Sequence, residues 1–148
     1  MPQKLETVLK HVAEISNSVN RQLIYEYHKY LVSRDTSTIY QKDNVKLIYM
    51  FTKFLDESKT LNDVKDLETI VAFLDTRKKI KEEDLEQKWI TTWNDYLWRL
   101  KMFYRWLYNI KLKGVNQPNN YDFTNWITPD FVNINKKKTK RLSPYRKS

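Results

Sequence analysis

Glycine occurs once in the 148 residues, cysteine not at all, histidine twice and proline four times. A single glycine rules out a Gly-rich phosphate loop and disfavours tight hairpins, whose turns need positive φ. Without cysteine there are no disulfides, thiolate zinc sites or Cys nucleophiles. His11 and His28 fall on different predicted helices, with no carboxylate at ligand spacing, so no metal or other cofactor is expected. No apolar run nears the roughly 18 residues that a membrane span requires, and Met1–His11 lacks the apolar centre of a signal peptide. These absences lead to an expectation of an all-α, cytoplasmic protein with neither membrane nor small-molecule partner.

What is abundant is aromatic and basic. Twenty-one residues are Trp, Tyr or Phe (5, 10 and 6), enough to build a helical core. The net charge is +9 and unevenly placed: +3 over residues 1–55, −4 over 56–87, +5 over 88–113, −2 over 114–135 and +7 over 136–148. Clustered positive charge suits a polyanionic partner, because a basic face concentrates field where phosphates lie.

Apolar residues at three- and four-residue spacing predict helices over 3–15 (Leu5, Val8, Leu9, Val12, Ile15), 19–33 (Leu23, Ile24, Tyr27, Tyr30, Leu31) and 37–57 (Tyr40, Leu47, Ile48, Phe51, Phe54, Leu55). Asn17 or Ser18 would cap the second. A short helix is expected over 66–75, then an exposed loop or frayed end over Arg77–Asp84. The last helix is expected from Thr91 or Thr92, as cap, to about Lys113, stopping at Gly114. Beyond it Pro118, Tyr121, Phe123, Trp126, Pro129 and Phe131 would pin an irregular segment onto the helices, and the basic run from Lys136 to Arg141 follows.

The candidate interface comes from two helix faces. Asn94, Trp98, Lys101 and Arg105 share one side of the last helix, with Thr91 at its start and Arg99 alongside. Lys and Arg there would bond phosphates, and Asn or Arg base edges. Lys42 and Lys46, with Ser37 and Thr38 at the helix start, form a similar face on the third helix. Acidic neighbours such as Asp56/Glu57 and Glu82/Glu83/Asp84 read as solvated surface charge rather than a paired acid–base site.

The succession Thr38, Tyr40, Leu47, Phe51 and Phe54-Leu55, then Phe73-Leu74-Asp75-Thr76, then Trp89-Ile90-Thr91-Thr92-Trp93-Asn94-Asp95-Tyr96-Leu97, then Lys137-Lys138-Thr139-Lys140-Arg141-Leu142-Ser143-Pro144-Tyr145 resembles the N-terminal core-binding domain of tyrosine recombinases (phage-type integrases), above all their archaeal branch. The resemblance spans roughly residues 17–145. It implies a SAM-like bundle of four to five helices on one side of a recombination site, with helices 37–57 and 91–113 addressing the major groove and the linker at 136–141 crossing the backbone. Carried over position by position, it implies DNA contacts from Thr38, Lys42, Lys46, Thr92, Asn94, Arg99, Lys101 and Arg105, and from Lys136, Lys137, Lys138, Lys140 and Arg141 in the linker. Trp98 departs from the pattern, standing where a smaller or polar residue is expected.

The implied organisation is an N-terminal helix (1–16), a DNA-binding helical core (17–114), an aromatic-pinned segment (115–135) and a basic linker (136–148) toward a catalytic domain absent from this chain. The family's His-x-x-Arg pair has no counterpart here, since both histidines lie near the N-terminus, and Tyr145 falls in the linker. The expectation is therefore a non-catalytic double-stranded DNA binder for integration and recombination, acting beside further recombinase protomers. The alternative is a stand-alone helical module for protein interaction or DNA-linked regulation.

Overall fold

Most of the helices begin where the sequence supplies an acceptor for the first free amides. In the computed structural model, which describes residues 4–79, 83–111 and 126–138, α1 covers Leu5–Ala13, α2 Ser18–Ser33, α3 Thr38–Phe54, α4 Leu67–Asp75 and α5 Trp89–Trp106. Asn17 caps α2 by accepting from the amides of Val19 and Asn20, Ser37 caps α3 through Tyr40, and Asp66 caps α4 through Thr69. Among the described residues there is no strand, as expected for an all-α bundle.

Two starts and stops differ from expectation. Neither Thr91 nor Thr92 caps α5, which begins two residues earlier at Trp89. The chain turns at Gln87 (φ 53°), in the left-handed region, and this brings Asp84 Oδ2 within 2.9 Å of the Trp89 amide that donates to it. Phe54, expected inside, is 42% exposed; the chain leaves the helix at Leu55, and Leu55 is the residue that becomes buried.

At its far end α5 widens into a π-helical turn, Leu107–Lys111. The Asn109 side chain donates at 2.8 Å to the Arg105 carbonyl, the acceptor that a regular helix would reserve for the Asn109 amide. Gly114, the expected stop, lies outside the described residues.

Helix α3 is central: α1, α2 and α5 all pack on it, and α4 packs on α5. The seam is filled by Ile24 and Tyr27 of α2, Val45, Ile48 and Phe51 of α3, Ile70 and Leu74 of α4, and Leu97, Leu100, Phe103 and Tyr104 of α5, all nearly inaccessible. Each fully buried aliphatic or Phe side chain contributes on the order of 1.5–3 kcal/mol before entropy is subtracted. The Tyr27 ring meets Phe103 edge-on, with centroids 5.1 Å apart. Burial raises the Tyr27 phenol well above its ordinary range, so it stays neutral.

The connection between α3 and α4 would otherwise bury bare backbone. At Leu61, fully buried in a 3-10 turn (Leu61–Asp63), the amide donates to Asn20 Oδ1 at 2.7 Å and the carbonyl accepts from the Tyr104 hydroxyl at 2.9 Å. Asn20 also donates to the Lys59 carbonyl at 2.9 Å. Side chains from α2 and α5 thus hold a loop about forty residues distant from either.

Candidate nucleic-acid interface

The polar stripe of α5 is largely a docking surface for the chain's own returning segment. Asn94 and Asn109 are fifteen residues apart on nearly the same side of α5 and its continuation, and each grips one residue of segment 126–138 by both backbone groups. Asn94 Nδ2 donates to the Lys137 carbonyl and Asn94 Oδ1 accepts from the Lys137 amide, both at 2.8 Å. Asn109 does the same to Ile127, at 2.9 and 3.1 Å. Between them, Arg105 donates to the Trp126 carbonyl at 3.4 Å. The segment therefore runs antiparallel to α5.

Apolar contacts hold the middle of that segment. A 3-10 turn at Asp130–Val132 buries Val132 completely and sets Phe131 edge-on to Tyr104, with centroids 4.9 Å apart. Trp126 lies against Tyr30 at 6.2 Å. Of the aromatic pins expected from the sequence, Trp126 and Phe131 pack this way, Pro129 immediately precedes the 3-10 turn, and Pro118, Tyr121 and Phe123 lie outside the described residues.

The basic run consequently starts at a fixed place. Lys137 Nζ stands 4.7 Å from the centre of the Trp93 ring, a cation–π distance, while Lys136 and Lys138 are exposed on either side. Lys140 and Arg141 lie outside the described residues.

The second expected element does approach α5, because α3 packs directly on it. Between them lies a groove of about 240 Å³ lined by Asp43, Lys46, Leu47, Met50, Asp95 and Arg99, together with Tyr96. Its charges are mixed. Lys42 pairs with Asp43 at 3.1 Å and Arg99 with Asp95 at 3.0 Å, and the Arg99 side chain is only 15% exposed. Lys46 has no carboxylate within ion-pair distance among the described residues. Thr38 is exposed at the first turn of α3, next to the capping Ser37.

Three further residues complete the set. Lys101 is half-buried, and desolvation lowers its ammonium below the usual range. Trp98 is 44% exposed, edge-on to Tyr40 and beneath the Arg99 guanidinium at 5.8 Å. Thr92 lies on a different side of α5, in a groove against the end of α4.

Sequence reasoning missed Asn109 and the cations of that α4–α5 groove. Asn109 carried a signal: an asparagine on the same stripe as Asn94, where a helix would ordinarily be apolar or charged. His11 stacks on Tyr49, and His28 Nε2 lies 3.3 Å from Gln41 Oε1. Among the described residues no three His, Cys, Asp or Glu side chains gather as metal ligands, and no helix is long and apolar enough to cross a membrane. Comparison with family models, curated proteins and solved structures finds no match.

Proposed function

We propose that this chain is a non-catalytic, double-stranded DNA-binding domain that works as the DNA-gripping half of a tyrosine-recombinase-like protein in the cytoplasm, beside further protomers on a recombination site. The observation that carries the reading is the Asn94–Lys137 clasp, which fixes the start of the basic run against α5. A tether held at one end presents its cations at a defined place and loses less entropy on reaching a phosphate. In this reading Lys136, Lys138, Lys140 and Arg141 cross the backbone, and Thr38, Lys42 and Lys46 of α3 approach the duplex from the neighbouring helix. In this reading Asn94 holds the start of the linker and Arg105 the Trp126 carbonyl of the preceding segment, rather than reading bases.

The test is equilibrium binding of the full chain to a short duplex at ~50 mM salt, where a protein of this charge pattern binds DNA strongly even without sequence preference. Binding, with no covalent tyrosine adduct on a nicked substrate, is the expected result. A chain that leaves the duplex untouched is instead a protein-interaction module, a reading favoured by the mixed charges of the α3–α5 groove.

A further inference from the structure

The end of α4 and the start of α5 enclose a groove of about 400 Å³. Among the described residues its lining includes four cationic side chains, Arg77, whose guanidinium also lies over the Tyr96 ring at 5.9 Å, Lys78, Lys79 and Lys88, and one carboxylate, Asp84. That carboxylate is engaged, since it accepts the Trp89 amide at 2.9 Å. Lys88 also pairs with Glu86 at 3.5 Å, but both side chains are more than 70% exposed, so the pair holds weakly. Thr76 and Thr92 add hydroxyls to the lining, and the buried indole N–H of Trp89 has no acceptor among the described residues.

Trp93 links this groove to the basic run. Its indole N–H donates to Asp75 at 3.0 Å, one residue before the lining begins at Thr76, and Lys137 sits over its ring. Lys137 therefore stacks on a tryptophan whose indole N–H bonds Asp75, the residue just before the groove lining.

We propose that the α4–α5 groove is an oxyanion site that takes backbone phosphates of nucleic acid, continuing the cationic track that begins at Lys137. The inference rests on the DNA-binding reading and deepens it by adding Arg77, Lys78, Lys79 and Lys88, with Thr92 as a hydroxyl donor. A row of cations facing a groove with one engaged carboxylate is an arrangement for a ligand with several negative oxygens, because like charges held together repel until such a ligand neutralises them.

Two measurements on the full chain test it. In the first, the salt dependence of duplex binding is compared for the native chain, the variant Arg77→Gln/Lys78→Gln/Lys79→Gln/Lys88→Gln, and a control of equal charge loss at exposed lysines elsewhere, in α1 and α2 and just before α1 and α4, Lys4→Gln/Lys10→Gln/Lys29→Gln/Lys65→Gln. Every phosphate that goes un-neutralised makes the slope of log K against log salt shallower by about 0.9, so the groove variant should be shallower by about 3 to 4 and the control by markedly less. In the second, inorganic phosphate replaces chloride at constant ionic strength while the indole N–H resonance of Trp89, assigned with Trp89→Phe, is followed by NMR; it should move. Equal slopes for the groove and control variants overturn the groove and leave the DNA reading intact. A native chain that does not bind duplex overturns the DNA reading and the nucleic-acid occupant with it. In that case a Trp89 signal unmoved by phosphate overturns the oxyanion site as well, whereas a moved one keeps it.

Discussion

Asn94 on α5 holds Lys137 by both of its backbone groups, accepting from the amide and donating to the carbonyl at 2.8 Å each, across 43 residues of chain. One amide side chain thereby performs the role of a neighbouring strand. It converts the first part of a lysine run into an ordered extension of a helix face.

Asn94→Ala should release residues 136–138 from α5. The loss of two hydrogen bonds to backbone predicts destabilisation of about 1–3 kcal/mol. Hydrogen exchange at the Lys137 amide should accelerate toward the rate of an unprotected chain. Asn94→Asp should cost at least as much, because a carboxylate cannot donate to the Lys137 carbonyl. Unchanged exchange in both variants would mean that the remaining contacts, Lys137 on Trp93 and the packing of Phe131 and Val132, hold the segment without Asn94.

The Leu61 cradle predicts a larger effect. Asn20→Ala strands the buried Leu61 amide and removes the donor to the Lys59 carbonyl, for an expected cost of about 2–4 kcal/mol, and Tyr104→Phe leaves the Leu61 carbonyl only the long bond from the Val64 amide at 3.4 Å, for about 1 kcal/mol. Because both act on one residue, the double variant should be less destabilised than the sum, as read from urea midpoints. Strict additivity would indicate that the loop already detaches from one side in each single variant.

Acid should loosen α4 through its cap. The Thr69 side-chain hydroxyl, donating at 2.6 Å, and the Thr69 amide hold the Asp66 carboxyl below the usual carboxylate range. Since the folded form has the lower pKa, its stabilisation is fully present above the unfolded value of about 3.9 and is lost as pH falls through the folded one. Melting temperature measured between pH 2 and 6 should fall less steeply for Asp66→Asn than for the native chain. Identical pH profiles would remove Asp66 from the acid response.

The helices were legible because burial on an α-helix imposes a period, and the stripe Trp93, Leu97, Leu100, Phe103, Tyr104 and Leu107 obeys it; all six are buried. The Asn17 cap was equally local, since a cap is decided within four residues, whereas Asp66, expected as the first residue of the helix over 66–75, is its cap. The start of α5 was not, because its acceptor came from Asp84 through a left-handed turn at Gln87, a conformation that no glycine announced. The candidate site was legible in its residue types and less so in their use. A polar stripe on a helix looks the same whether it meets DNA or the chain's own backbone, and the partners of Asn94 and Asn109 lie 43 and 18 residues away. The α4–α5 groove was invisible for the same reason: Lys88 joins Arg77, Lys78 and Lys79 only once α4 and α5 pack.

In the proposed function the basic run, anchored at Lys137, grips the phosphate backbone of a duplex. Salt titration of duplex binding by fluorescence anisotropy, for the native chain and for one lacking residues 136–148, tests it most directly. With about seven phosphates neutralised by the basic run and the helix faces, log K for the native chain should fall with log salt at a slope near −6, steeper by a further 3 to 4 where the groove cations also engage, and the deletion should bind every duplex more weakly with a shallower slope. A deletion with the native slope, or a native chain that does not bind duplex at ~50 mM salt, would contradict the account.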